Sequence, residues 1–115
     1  MPEFSVGVEE LDGGIVVVKV TGYLDAHTFE QMESQISALF DRELYKIIVD
    51  LEEVEYISSA GCGVFIGAIS DAKDNDGNIV LLRPTSHVME VFELLGLNQI
   101  FKFANDRKQA IAVFA

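Results

Sequence analysis

A chain of 115 residues lies within the range of one compact domain, and with half of its residues hydrophobic it can bury a core unaided. Eight basic against nineteen acidic side chains leave a formal net charge of −11, which disfavours nucleic acid and anionic lipid because both are held by cationic patches. The apolar runs Ile15 to Val18 and Ile79 to Leu82 fall far short of the roughly 20 residues of a membrane helix, no signal-peptide pattern opens the chain, and the single cysteine, Cys62, excludes an internal disulfide.

The reading that remains is one cytoplasmic domain over residues 1–115, without a membrane or nucleic-acid role. Its charge suits a basic protein partner, and equally suits plain solubility. Phe4, Val6 and Val8 alternate with polar neighbours, Ile15 to Val20 is largely β-branched, and Asp12-Gly13-Gly14 supplies a turn, so the chain begins with a β-hairpin. Past Gly22 the period changes. Asp25 is placed to cap a helix with Phe29, Met32, Ile36, Leu39 and Phe40 on one face, ending near Arg42. A strand is predicted over 46–51, where Ile47, Ile48, Val49 and Leu51 form an apolar run.

Glu52, Glu53 and Glu55 then read as a solvated loop, since they lack the glycine and the regular oxygen spacing of a calcium site. A second helix starts near Ser59 or Ala60, with Val64, Phe65, Ala68, Ile69 and Ala72 at helical spacing, and stops at the turn cluster Asp74-Asn75-Asp76-Gly77-Asn78. Ile79 to Leu82 is the next strand. Ser86 caps a third helix with Val88, Val91, Phe92 and Leu95 inward, and Gly96 suits the left-handed residue that ends it, with Leu97 covering that cap. Ile100 to Phe103 is a last short strand, and Asn105-Asp106 begin a terminal helix with Ala110, Ile111, Val113 and Phe114 on its inner face. Strands alternating with helices favour right-handed crossovers and a parallel sheet, so the fold class is α/β, a small mixed sheet with the hairpin as its antiparallel edge.

The stretch Asp50 to Phe65 joins a buried strand to a helix through Ser58-Ser59 and two glycines. A hydroxyl at Ser59 can cap the helix, and negative charge added there would meet the positive end of the helix dipole. Gly61 and Gly63 present no side chain, so another protein's backbone can come close to the serine. Catalytic alternatives lack their parts. The Gly-x-Ser-x-Gly elbow of an α/β hydrolase is absent, and no lysine follows the glycines as in a P-loop. His27 and His87 sit among capping residues, and with Cys62 they lack the ligand spacing of a zinc site. No cofactor or metal is expected, and the chain reads as a non-enzyme.

Asp50-Leu51, Val54, Ile57 and Ser58-Ser59-Ala60-Gly61-Cys62-Gly63 resemble the signature of STAS domains, and among these the bacterial anti-sigma-factor antagonists: Asp-Leu, an apolar residue, then Asp-Ser-(Ser/Thr/Ala)-Gly-Leu-Gly. Gly22-Tyr23-Leu24-Asp25 with Thr28 is similar to the family's lead-in to its first helix, and Phe92, Leu95, Gly96, Leu97, Ile100 and Phe101 to its third helix and last strand. Ser58 stands where the family has an acidic residue, and Cys62 where it has leucine. The resemblance implies a mixed sheet with helices mainly on one face, and a protein switch in place of an enzyme.

By that resemblance Ser59 is the phosphorylation site, with Ser58 the alternative, and Asp25, Ser58, Ser59, Ala60, Gly61, Cys62 and Gly63 form the partner-binding surface. The unphosphorylated chain would bind a serine-kinase anti-sigma factor and free its sigma factor. Phosphorylation would end that binding, and a metal-dependent serine phosphatase would restore it. A phospho-switch controlling secretion, motility or a second messenger is the alternative, and a nucleotide- or small-ligand-binding module is a further one. The free domain is expected to be a monomer.

Overall fold

The structure is a computed structural model and describes residues 3–115. Strand β1 (Ser5–Glu10) runs antiparallel to β2 (Ile15–Leu24) across a tight turn at Asp12–Gly14, where Gly13 and Gly14 take φ values of 78° and 77° that a side chain would oppose. There follow α1 (Phe29–Asp41), β3 (Lys46–Ile57), α2 (Ser59–Asp74), β4 (Asn78–Leu82), α3 (Ser86–Leu94), β5 (Lys102–Ala104) and α4 (Arg107–Ala112). The five strands lie in the order β1-β2-β3-β4-β5, with β2 through β5 parallel. This is the mixed α/β sheet with an antiparallel edge that the sequence pattern predicts. Among the described residues, no helix is long and apolar enough to cross a membrane.

Alternation along the strands divides the core. Val16, Val18, Ile47, Val49, Ile79 and Leu81 face one side, where they pack with Met32 and Ile36 of α1, Phe65 and Ile69 of α2, and Val88 and Phe92 of α3. Ile15, Val17, Ile48, Val80 and Leu82 face the other, which α4 covers through Ala110 with Ile111 and Phe114. Burial on both faces is why β2 and β4 read as continuous apolar runs.

Strand β3 is longer than the expected 46–51 and absorbs the acidic stretch predicted as a loop. From Lys19 to Thr21, β2 advances two residues while β3 advances three, Asp50 to Glu53; from Gly22 to Tyr23 it advances one against two, Val54 to Tyr56. Each extra residue is a β-bulge, which shifts the phase of the side chains. Leu51, Val54 and Ile57 are therefore buried at every third position, while Glu52, Glu53 and Glu55 stay exposed on a strand. Beyond Asp50, which pairs with Leu82 of β4, this extension pairs with β2 and with no other strand among the described residues.

Smaller corrections have local causes. Thr28, not Asp25, is the residue before the first turn of α1 and makes no side-chain cap bond; Asp25 closes the turn ahead of the helix, its carboxylate accepting the His27 N–H and its carbonyl the Phe29 N–H, each at 2.9 Å. Thr85, not Ser86, caps α3, its hydroxyl accepting the Val88 N–H at 3.3 Å. Gly96, at φ 73°, leads into a 3-10 turn at Leu97–Gln99 that takes up the chain before β5, so the last strand begins at Lys102 rather than Ile100. Leu95 and Val113 are exposed rather than inward, each lying one residue past the end of its helix.

On the α4 side three cations lie against carboxylates of β1 and β3. Arg107 makes two bonds of 3.1 Å to the Glu9 carboxylate, Arg83 lies 3.0 Å from Glu52, and Lys19 lies 3.6 Å from Glu53. The hydrogen bonds from Arg107, and then its charge, hold the Glu9 carboxyl below its ordinary range. Exposed pairs of this kind add little stability. Their consequence is electrostatic: Arg107, Arg83 and Lys19 each lie against a carboxylate.

Candidate functional site

Leu24 and Ile57, opposite each other at the ends of β2 and β3, send two loops out of the sheet side by side. The Ser58 N–H donates to the Leu24 carbonyl at 3.0 Å and fixes where β3 stops. Ser58 is still extended, with φ −102° and ψ 174°; its hydroxyl accepts the Gly61 N–H at 3.3 Å and its carbonyl accepts the Cys62 N–H at 3.0 Å. Ser58 is thus the N-cap, and the capping role expected of Ser59 belongs to its neighbour. Ser59 is the first helical residue and is exposed, and among the described residues its hydroxyl has no hydrogen-bond partner.

In the adjoining loop, the Asp25 carboxylate accepts the His27 N–H at 2.9 Å, while the Thr28 hydroxyl donates to the Tyr23 carbonyl at 2.7 Å and accepts the Asp25 N–H at 3.0 Å. This closed turn keeps Asp25 half-buried beside Ser58. The two glycines have different reasons to be glycine. A Cβ at Gly61 would sit 2.5 Å from the Leu24 carbonyl oxygen, so the helix starts hard against β2; a Cβ at Gly63 meets nothing within 4 Å. Cys62 is fully buried, and that burial pushes its thiol up to about 11, so it stays neutral and shielded. Of the expected partner-binding residues, Asp25, Ser58, Ser59, Ala60 and Gly63 reach the surface, whereas Gly61 and Cys62 are buried and shape it from below.

The sequence pattern of the STAS domain matches residues 8–110. The chain belongs to the STAS domain family. It is 33% identical to BtrV of Bordetella bronchiseptica over 93% of this chain and 91% of that protein. It is 29% identical to the anti-sigma-B factor antagonist of Listeria monocytogenes, over 88% of this chain and 89% of the relative. Among solved structures, the anti-sigma factor antagonist SpoIIAA in its unphosphorylated form matches at a TM-score of 0.81 with 26% identity, covering 95% of this chain and 96% of that one. SpoIIAA of Bacillus in the phosphorylated form matches at 0.73 with 25% identity, covering 95% and 99%. These antagonists are regulatory proteins rather than enzymes.

In this STAS domain the sequence reading missed an aromatic cluster beside the serine loop. The rings of Tyr23 and Tyr56 lie 5.7 Å apart, and that of Tyr56 stacks on His87 at 5.5 Å, with Tyr56 41% exposed. Each tyrosine precedes a site residue by two positions, Asp25 and Ser58. Only the bulged register, which sets Tyr23 opposite Tyr56, brings them together. Among the described residues, no three His, Cys, Asp or Glu side chains converge as metal ligands.

Proposed function

We propose that this STAS domain is an anti-sigma-factor antagonist that works as a phospho-switch on Ser59. Unphosphorylated, it binds a serine-kinase anti-sigma factor in the cytoplasm and frees the sigma factor held there; phosphorylated, it lets go. The observation that carries this reading is the division of labour between two adjacent hydroxyls. Ser58 is half-buried and spends its oxygen on the Gly61 amide, while Ser59 stands exposed and unbonded at the first turn of α2. A kinase can reach the second without unmaking the cap.

A phosphate on Ser59 adds about −1.5 to −2 charge to a surface that docked with a neutral hydroxyl. A loss of about 3 kcal/mol in binding is roughly a hundredfold in affinity, enough to switch partners. The fold tolerates the same phosphate, because the first turn of α2 holds no acidic side chain and its amides and dipole favour an anion. Nucleotide and phosphoryl chemistry belong to the partner, and a metal-dependent serine phosphatase resets the switch.

The test begins by retrieving the kinase with unphosphorylated domain and identifying it by mass spectrometry. The purified kinase is then incubated with ATP and each serine variant, and the products are mapped by peptide mass spectrometry. Phosphate is expected on Ser59, with Ser58→Ala still a substrate and Ser59→Ala unlabelled. Phosphate on Ser58 alone, or labelling of Ser59→Ala to the parent's level, overturns the assignment.

A further inference from the structure

Helix α2 carries two glycines that the domain's own packing does not require. A Cβ at Gly63 or Gly67 meets nothing within 4 Å, and neither residue has a positive φ, whereas a Cβ at Gly77 would fall 2.0 Å from the Tyr45 carbonyl oxygen. Glycine inside a helix weakens it relative to alanine, so these two positions are kept bare at a cost to the isolated fold. Beside Gly67, α1 and α2 part to leave a groove of about 210 Å³. Its floor is apolar, formed by Ile36 and Phe40 of α1 with Val64 and Ala68 of α2. Its rim carries Glu33 and Asp71, neither of which takes part in an ion pair among the described residues.

We propose that this groove is a second docking site for the serine-kinase partner, and that it receives a basic amphipathic segment of that protein; the proposal rests on the phospho-switch reading given above. The apolar floor calls for an apolar side chain. The carboxylate rim, on a chain of net charge −11, selects lysine or arginine on either side of it. A second copy of this chain would bring the same −11 and is repelled. Gly63 and Gly67 let the incoming backbone lie close to α2. The groove also adjoins the serine along α2: Ser59, Gly63 and Gly67 recur four residues apart as one exposed row, and Gly67, which lines the groove, lies about 12 Å along the helix from Ser59. One partner can cover both.

Gly67→Leu separates docking from folding, because leucine is the better helix former and fills the groove. The probe is the kinase retrieved by the parent domain, purified and loaded with ADP. Gly67→Leu is expected to raise the thermal midpoint of the free domain while weakening kinase binding tenfold or more. The double variant Glu33→Lys with Asp71→Lys is expected to slow association several-fold at low salt, with the difference shrinking as salt is raised. Ser59→Asp reads the phospho-switch in the same assay. Unchanged affinity in Gly67→Leu, or in the charge variant if Gly67→Leu does not fold, overturns the groove even when Ser59→Asp releases the kinase. Weak binding by Gly67→Leu beside parent-like binding by Ser59→Asp supports the groove and overturns the phospho-switch. A parent domain that retrieves no serine kinase overturns both.

Discussion

Helices α2 and α3 begin alike and are equipped differently. Ser58 and Thr85 both occupy an extended N-cap, both hydroxyls accept the amide three residues on at 3.3 Å, and both are followed by an exposed serine, Ser59 and Ser86. A capped helix with a serine at its first position is therefore not what singles out a site. At the third position α2 has Gly61, which β2 leaves no room to enlarge, while α3 has Val88, fully buried in the core. Around Ser59 the helix is bare, with Ala60, Gly61, Cys62 and Gly63 next in line and no acidic residue before Asp71. Around Ser86 stand His87, stacked on Tyr56, and Glu90 one turn on. Access and charge distinguish the two and the capping bond does not, although the Thr85 hydroxyl also donates to the Val54 carbonyl at 3.5 Å.

The third position is where this comparison breaks most easily. Gly61→Ala pushes a methyl group into the Leu24 carbonyl, 2.5 Å away, and into Leu24 Cγ at 2.9 Å. Overpacking against backbone should cost about 3 kcal/mol, read as a lower urea midpoint. Gly63→Ala, in open space, should instead stabilise the fold by about 1 kcal/mol. If Gly61→Ala keeps the parent midpoint, the start of α2 is not locked to β2.

The caps come next. Equal bond lengths predict equal losses, so Ser58→Ala and Thr85→Ala should each cost about 1 kcal/mol. Ser58→Ala leaves the backbone bond from the Ser58 N–H to the Leu24 carbonyl in place, whereas Thr85→Ala also removes the 3.5 Å bond from its hydroxyl to the Val54 carbonyl, so a loss at Thr85 well above that at Ser58 would mean that this longer bond adds to the cap.

How much of this was legible in the sequence follows the range over which each feature is set. The hairpin, the helical faces of Met32 and Ile36 or Phe65 and Ile69, and the serine-glycine junction depend on spacing within a turn or two, and they were read correctly. The second half of β3 was not, because two bulges shift the alternation and make Leu51, Val54 and Ile57 resemble scattered apolar residues in an acidic loop. The choice of Ser58 over Ser59 as the cap depends on the residue at which β3 lets go, which is a contact with β2 across the sheet. Tyr23, Tyr56 and His87 meet only through that same pairing. The groove beside Gly67 depends on how α1 and α2 diverge, which no local pattern encodes.

The smallest expected effect on stability is also the most discriminating for function. A carboxylate at the first position of either helix interacts with the free amides of the first turn, so Ser59→Asp and Ser86→Asp should each gain up to about 0.5 kcal/mol. The gain should be less at Ser86, where Glu90 lies four residues away on the same face and like charges at that spacing oppose each other. Thermal midpoints of the two variants should thus differ by little, with Ser59→Asp the higher. Kinase binding should separate them sharply. Ser59→Asp puts charge into the surface formed by Ser59, Ala60 and Gly63, and should release the partner. Ser86→Asp puts the same charge at an equally exposed helix start beside the Tyr56 and His87 rings, and should leave the partner bound. Titration of the purified kinase with both variants decides the point, since equal weakening by the two would mean that the partner responds to added charge on this end of the sheet in general, and that Ser59 holds no special place in it.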